Sequence, residues 1–182
     1  MRQQLRFTGI GGQGVILAGE IMASAKINVG GHAMKTATYT SQVRGGPTVV
    51  DVALDEGRIL YPYASDGEVD FMLSVAQSSY NIYKTGGRDG ATIVVDPNLV
   101  KVSDEDRKRW HIVEVPIITI AKHEVGNVIT QSVVALGVAS VYVTSIARQT
   151  LIDTMLSKVP KKVHEANLKA FELGEKYAKE AV

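Results

Sequence analysis

The stretch LRFTGIGGQGVILAGEIMASA, residues 5–25, predicts a strand, a glycine-rich turn and a helix in immediate succession. Residues 5–10 alternate between apolar and polar side chains and end at glycines, which is typical of a short strand. From Gly14 onward, small and apolar residues recur at the spacing of one helical face, up to the glycine pair at residues 30–31. The chain therefore begins with a strand–turn–helix unit.

The rest of the chain continues to alternate strand and helix patterns. Short, nearly continuous apolar runs of this kind are typical of strands buried on both faces of a mostly parallel sheet. We therefore predict an α/β fold over one domain, residues 1–182, a three-layer Rossmann-like arrangement with a mostly parallel sheet and helices on both faces. The further predicted strands cover residues 33–40, 48–54, 69–75, 91–95 and 112–115, and the further helices cover residues 77–84, 117–123, 128–143 and 161–181.

Two of these segments have distinct characters. Residues 125–147 carry no formal charge but hold many hydroxyl and amide side chains, so we predict a buried helix and no membrane span. The last helix is predicted to lie on the surface, with its charged residues in i,i+4 pairs: Glu165 with Lys169, Glu172 with Lys176 and Glu175 with Lys179. Its predicted buried stripe is Val163, Ala166, Ala170, Leu173 and Tyr177.

Composition excludes several functional classes. The 182 residues carry a net charge of +1, so no overall field favours nucleic acid or an acidic membrane. The sequence has no cysteine, which excludes disulfides, a thiolate nucleophile, Cys-ligated zinc and a Cys-ligated iron–sulfur cluster on this chain. The four histidines show no metal-ligand spacing and no G-x-S-x-G elbow occurs, so we predict neither catalytic nor metal-binding residues.

The turn at residues 9–14, GIGGQG, matches G-x-G-x-x-G, in which glycines and a helix start allow an anion to approach the backbone. A tight turn that binds nothing, or that binds a partner's backbone, remains the alternative. An NAD site also needs an acidic residue about 20 residues further on, and here the first acid after the second strand is Asp51. Arg44 could serve an NADP phosphate, so a stand-alone NAD(P)-binding oxidoreductase stays open as the rival function.

A second loop, YTSQVRGGP at residues 39–47, combines an arginine with two glycines and a proline. Arginine suits carboxylates and phosphates, although a solvated arginine in a connecting loop would have the same sequence. We place both loops at the carboxyl ends of the strands, where open parallel sheets meet ligands and partners. The candidate cofactor-binding or subunit-interface residues are Gly11, Gly12, Gln13, Gly14, Tyr39, Arg44, Gly45 and Gly46.

The order of these motifs resembles the gamma subunit of the 2-oxoacid:ferredoxin oxidoreductases over essentially the whole chain. The segments that carry the resemblance are GIGGQGVILAGEIMASA (9–25), RGG (44–46), YP (61–62), VDFMLSVA (69–76), ATIVVD (91–96), Asn127 with ALG (135–137), and NLKAF (167–171) before Gly174. One departure is TYTSQ at residues 38–42, where relatives often have Ser-Tyr-Gly-x-Glu, so Thr40 and Gln42 replace a glycine and an acid.

The resemblance implies a cytoplasmic complex that oxidatively decarboxylates a 2-oxoacid to an acyl-CoA and passes electrons to ferredoxin. It implies alpha and beta subunits that hold thiamine diphosphate and Mg²⁺, and an iron–sulfur delta subunit. This chain is then expected to hold no cofactor alone. From the glycine-rich helix start and Arg44 we hypothesise that its two loops close the active-site cleft and could help to hold the phosphates of coenzyme A. The resemblance favours 2-oxoglutarate, with succinyl-CoA as product, over pyruvate, 2-oxoisovalerate and indolepyruvate. The isolated chain is expected to be inactive and able to form a homodimer.

Overall fold

The computed structural model describes residues 2–38, 45–64 and 66–181, and its centre is a sheet of six strands in the order β2-β3-β1-β4-β5-β6. The strands are β1 (Gln3–Ile10), β2 (His32–Ala37), β3 (Pro47–Asp55), β4 (Val69–Ser74), β5 (Gly87–Val95) and β6 (His111–Glu114). β1, β4, β5 and β6 are parallel neighbours, whereas β3 runs antiparallel to both β1 and β2. The sheet is therefore mostly parallel, and the prediction of this fold is confirmed.

Helices cover both faces of the sheet. They are α1 (Val15–Asn28), α2 (Gln77–Tyr83), α3 (Asp104–Arg109), α4 (Ile117–Thr119), α5 (Gln131–Tyr142), α6 (Arg148–Ser157) and α7 (His164–Glu180). α4 continues as a π-helical segment, Ile120–Val125, and a 3₁₀ turn, Val128–Thr130, precedes α5. Helix α6 was not predicted, because residues 148–157 mix polar and apolar side chains without a clear stripe.

The core is divided between the two faces. On one face α1, α5, α6 and α7 bury apolar side chains against alternate residues of the central strands, such as Leu5, Phe7 and Phe71. On the other face a smaller cluster surrounds Tyr80 and Trp110 beneath α2 and α3. This division follows from the two-residue period of strands, which sends successive side chains to opposite faces.

Helix α5 is the buried helix expected within residues 125–147. All eight residues from Ser132 to Ala139 are buried. Its backbone touches that of α7 through two glycines: a Cβ built on Gly137 would lie 2.1 Å from the Phe171 carbonyl oxygen, and one on Gly174 would lie 2.2 Å from the Val134 carbonyl oxygen. Within the described residues, no helix is both long and apolar enough to cross a membrane.

The predicted face of the last helix is confirmed in part: Ala170 is buried and Leu173 and Tyr177 pack partly buried against the core, but the fully buried face is shifted by about one position. Its buried residues are Asn167, Ala170, Phe171, Gly174, Glu175 and Ala178. The three predicted i,i+4 ion pairs are not found among the described residues; instead Glu175 accepts a hydrogen bond from Arg148 Nε at 2.8 Å. The reason is that close approach to α5 requires Gly174 at the contact, and that the unpredicted α6 brings Arg148 beside α7.

Candidate functional site

The glycine-rich loop lies at the carboxyl end of β1 and leads directly into α1. Gly12 and Gly14 have positive φ angles of 101° and 73°, which side-chain-bearing residues rarely adopt. Gly14 occupies the N-cap of α1 in the left-handed conformation, and no side chain caps the helix. A Cβ on Gly14 would also lie 2.8 Å from Ser132 Cβ, so the start of α5 packs against this loop.

The second predicted loop returns to the same place. Because β3 is antiparallel to β1, its first residue, Pro47, stands opposite Ile10, the last residue of β1. The Gly11 N–H donates to the Gly46 carbonyl oxygen at 3.1 Å, and exposed Gly45 turns the chain with a φ of 82°. The structure therefore brings the two glycine segments together. Tyr39 and Arg44, with Thr40 and Gln42 between them, lie outside the described residues.

Gln13 fastens the glycine loop to the neighbouring strand. Its Oε1 accepts a hydrogen bond from Ile10 N at 2.7 Å, and its Nε2 donates to the Val75 carbonyl oxygen at 3.0 Å. β1 and β4 flank the point where the strand order reverses, which is where open α/β sheets bind ligands. The sequence placed Gln13 in the loop but did not reveal this bracing role.

The start of α1 has the electrostatic character of an anion site. Val15 N–H and Ile16 N–H have no hydrogen-bond acceptor within the described residues, as expected for the first turn of a helix. α1 is 14 residues long and has no acidic side chain in its first turn, so its positive end is not neutralised locally. The crevice behind the loop, lined by Gln13, Val75 and Ser132 among others, is too narrow for a water molecule. An anion would therefore bind outside the loop.

The turn before α5 adds an apolar rim to this edge. Asn127 Oδ1 accepts a hydrogen bond from Ile129 N at 3.1 Å, and Thr130 Oγ1 donates to the Asn127 carbonyl oxygen at 2.7 Å. This locked turn leaves Ile129 80% exposed and Val128 48% exposed. The sequence prediction placed these two residues inside the buried helix 128–143, whereas the structure forms a 3₁₀ turn here and begins α5 at Gln131.

A buried carboxylate lies at the same edge but is fully engaged. Asp96 follows β5 and is completely buried. Its two oxygens accept hydrogen bonds from Asn98 N and Ile118 N, both at 3.0 Å. Asp96 thus fixes the start of α4. The sequence signal that could have identified this buried aspartate is its position directly after an apolar strand and before Pro97.

Comparison with known proteins shows which family the chain belongs to. Residues 4–177 match the family described as pyruvate ferredoxin/flavodoxin oxidoreductase. The chain belongs to this family. The expected resemblance to the gamma subunits of 2-oxoacid:ferredoxin oxidoreductases is thereby confirmed, and with it the interpretation of this chain as an oxidoreductase subunit.

Individual members of this oxidoreductase family are similar to the chain along nearly its whole length. The chain is 30% identical over 181 residues to 2-oxoglutarate synthase subunit KorC of Methanocaldococcus jannaschii, covering 99% of this chain and 96% of that protein. It superimposes with a TM-score of 0.88 and 32% identity on the keto/oxoacid ferredoxin oxidoreductase gamma subunit of Geobacter sulfurreducens, covering 100% and 98% of the two chains. The fold also matches 32% of a 2-oxoglutarate:ferredoxin oxidoreductase chain of Magnetococcus marinus, with a TM-score of 0.87 and 24% identity.

The geometry of this oxidoreductase subunit disfavours the rival NAD(P) site. In a dinucleotide fold an acidic residue ends the strand beside β1 at this edge. Here that neighbour, β3, begins at this edge because it runs in the opposite direction. Asp51 lies in the middle of β3, where its carboxylate receives hydrogen bonds from Arg6 at 2.7 and 2.8 Å. It is thus unavailable to a ribose at the loop.

The described residues of this family member hold no group of side chains suited to a metal ion. Over residues 2–38, 45–64 and 66–181, no three His, Asp or Glu side chains cluster as a metal site would require. The sequence has no cysteine to bind an iron–sulfur cluster. The groups that the loop edge leaves unpaired or exposed in the described residues are the Val15 and Ile16 N–H groups and the apolar side chains of Val128 and Ile129.

Proposed function

We propose that this chain is the gamma subunit of a 2-oxoglutarate:ferredoxin oxidoreductase, a complex that oxidatively decarboxylates 2-oxoglutarate to succinyl-CoA and passes the electrons to ferredoxin. The support is similarity along nearly the full length of both chains to a 2-oxoglutarate synthase subunit and to a solved gamma subunit. Pyruvate, 2-oxoisovalerate and indolepyruvate complexes are the alternatives within the same family.

In this proposal the reacting groups belong to other subunits. The alpha and beta subunits hold thiamine diphosphate and Mg²⁺, and they and an iron–sulfur delta subunit carry the clusters that lead electrons to ferredoxin, all in the cytoplasm. Thiamine diphosphate supplies the carbanion chemistry for decarboxylation. The absence of cysteine from this chain is consistent with that division of labour. The isolated chain is then inactive, and self-association would occupy a surface that the complex normally uses.

The role of this chain is to close the cleft over the reaction and to help hold coenzyme A. The observation that carries this role is the hydrogen bond between Gly11 N and Gly46 O, because it joins the two glycine segments into one edge of the sheet. The N–H groups that begin α1 are suited to a phosphate, and Arg44 is the cation expected beside them. Ile129 offers apolar surface for the neighbouring subunit.

The identity of the reaction is tested on the complex purified with this chain as bait. The proposal predicts reduction of a low-potential acceptor dye that requires both a 2-oxoacid and coenzyme A, with 2-oxoglutarate giving the highest kcat/KM. The other 2-oxoacids serve as the comparison. Turnover of any metabolite by the chain alone, or a complex without a 2-oxoacid decarboxylase, would contradict it.

The role of Arg44 is tested by Arg44→Ala and Arg44→Lys in the same complex. Loss of a charge-assisted contact to phosphate should raise the KM for coenzyme A about tenfold, leave kcat within about twofold, and be partly restored by lysine. Arg58→Ala, a change at an exposed arginine beyond the far end of β3, is the matched control. An unchanged KM in Arg44→Ala would remove Arg44 from the coenzyme A site while leaving the reaction assignment intact.

A further inference from the structure

A polar cavity lies at the opposite edge of the sheet from the glycine loop. It has a volume of about 260 Å³ and is lined by Arg2, Gln3, Asp70, Arg88, Thr144 and Ser145. These residues come from the starts of β1, β4 and β5 and from the segment between α5 and α6. β1 has eight residues, so the cavity and the glycine loop are separated by about 25 Å at the usual strand rise.

The charges in this cavity leave a positive excess. Both oxygens of Asp70, the only carboxylate that lines it, are already engaged: Oδ1 with Arg88 Nε at 2.8 Å and Oδ2 with the backbone Gln4 N–H at 2.7 Å. Asp70 therefore holds the Arg88 guanidinium in place through one nitrogen. The second guanidinium, that of Arg2, has no counterion among the groups that line the cavity, and the one carboxylate whose charge it is seen to affect, Asp55, lies outside the lining.

Arg2 also carries an unsatisfied donor. Its Nε is buried and has no hydrogen-bond partner in the described part of the chain. The same guanidinium lies 4.3 Å from the centre of the Tyr61 ring and donates through Nη2 to the Tyr61 carbonyl oxygen at 3.4 Å. The ring therefore restrains the plane of the guanidinium. A buried donor without a partner is costly, so an oxygen acceptor brought close to this guanidinium would stabilise it.

A neutral donor completes the lining. Thr144 and Ser145 contribute hydroxyl groups; the Ser145 hydroxyl donates to Gln3 Oε1 at 3.4 Å, so the Thr144 hydroxyl is the one left to donate to a ligand. Two planar guanidinium groups together with a hydroxyl donor match the oxygens of a carboxylate or phosphate. The volume lies just below the usual range for ligand pockets, so it suits a small molecule.

We propose that this cavity is a binding site for a small organic anion of carboxylate or phosphate type, held by Arg2 and Arg88 and remote from the edge that carries the proposed function. Because the cavity and the glycine loop are at opposite ends of β1, the anion does not compete with coenzyme A. The site does not depend on the identity of the 2-oxoacid or on assembly with other subunits.

The test titrates the 182-residue chain with inorganic phosphate and, separately, with succinate, at constant ionic strength. Binding is followed by the NMR resonance of the Arg2 Nε–H and by calorimetry. The proposal predicts saturation below about 10 mM for at least one of the two anions, with a shift of the Arg2 resonance. Which anion saturates distinguishes a phosphate site from a carboxylate site.

Variants make the test specific. Arg88→Ala should weaken binding at least tenfold, because it removes a charge-assisted contact. Thr144→Val should weaken binding less, because it removes only a neutral hydroxyl donor. Arg107→Ala, which removes an exposed arginine of α3 outside the cavity, should leave the affinity unchanged. Failure of both anions to saturate, or equal affinity in Arg88→Ala and the unaltered chain, would overturn the proposal.

Discussion

Replacing Gly137 by alanine tests whether the contact between α5 and α7 holds the larger core together. The added Cβ would lie 2.1 Å from the Phe171 carbonyl oxygen, about 1.3 Å short of ordinary contact. The obstacle is backbone on both sides, so the clash cannot be relieved by rotating a side chain. The two helices must separate by about 1 Å.

The size of the effect follows from that separation. A gap of about 1 Å forfeits about half of each atomic contact, and about 40 contacts worth 0.1–0.2 kcal/mol each then lose about 2–4 kcal/mol. Residual strain adds about 1 kcal/mol, and the better helix propensity of alanine returns about 1 kcal/mol. We expect the free energy of unfolding to fall by about 2–4 kcal/mol for Gly137→Ala and by a similar amount for Gly174→Ala.

The assay is urea unfolding followed by circular dichroism and by the fluorescence of Trp110, the single tryptophan, which lies in the smaller core. Coincident transitions would establish that the two cores unfold together. Gly57→Ala is the control, because the nearest atom to its added Cβ is 4.0 Å away, and it should change stability by less than about 0.5 kcal/mol. A Gly137→Ala protein as stable as the unaltered chain would refute the packing argument.

Three further changes probe other parts of the structure. Gln13→Ala should lower the free energy of unfolding by about 1–3 kcal/mol, because two backbone groups lose their partner, whereas Gln149→Ala on an exposed helix face should be neutral. Burial alone would raise the pKa of the Asp106 carboxyl, but the hydrogen bonds that it accepts, chiefly from Lys84, hold it below its usual range. The stability that this group contributes is therefore present above the ordinary aspartate pKa and is lost as the pH falls through the lowered value. Asp106→Asn should reduce the acid loss of stability that urea unfolding measures between pH 7 and 3. A pH profile unchanged by this substitution would contradict the argument. Ala135→Glu, which places a carboxylate in the centre of α5, should abolish soluble expression, and a folded, assembling variant would show that this position is not buried as described.

The alternation of apolar runs was enough to predict the α/β fold and most of its strands. The strand interiors are buried on both faces, and their continuous apolar pattern reflects that directly. The reversed direction of β3 could not be predicted, because strand direction depends on partner pairing and not on local pattern. Helix α6 was missed because its four buried residues are interleaved with charged and polar ones.

The sequence predicted those parts of the candidate site in which the local backbone conformation requires a glycine. The positive φ angles of Gly12, Gly14 and Gly45 correspond to glycines in loops that the sequence had marked. Gln13 as a brace and Ser132 against Gly14 were not predictable, since each depends on an element distant in sequence. The same holds for the buried face of α7, which is set by contact with α5.

The most direct test of the central claim is amide hydrogen exchange in the free chain and in the assembled complex. If the glycine-loop edge closes a neighbour's cleft, peptides spanning residues 9–17, 39–46 and 126–132 should exchange at least about tenfold more slowly in the complex, while residues 103–110 on α3 should be unchanged. Unaltered exchange at the glycine-loop edge, with protection confined to other surfaces, would contradict the account.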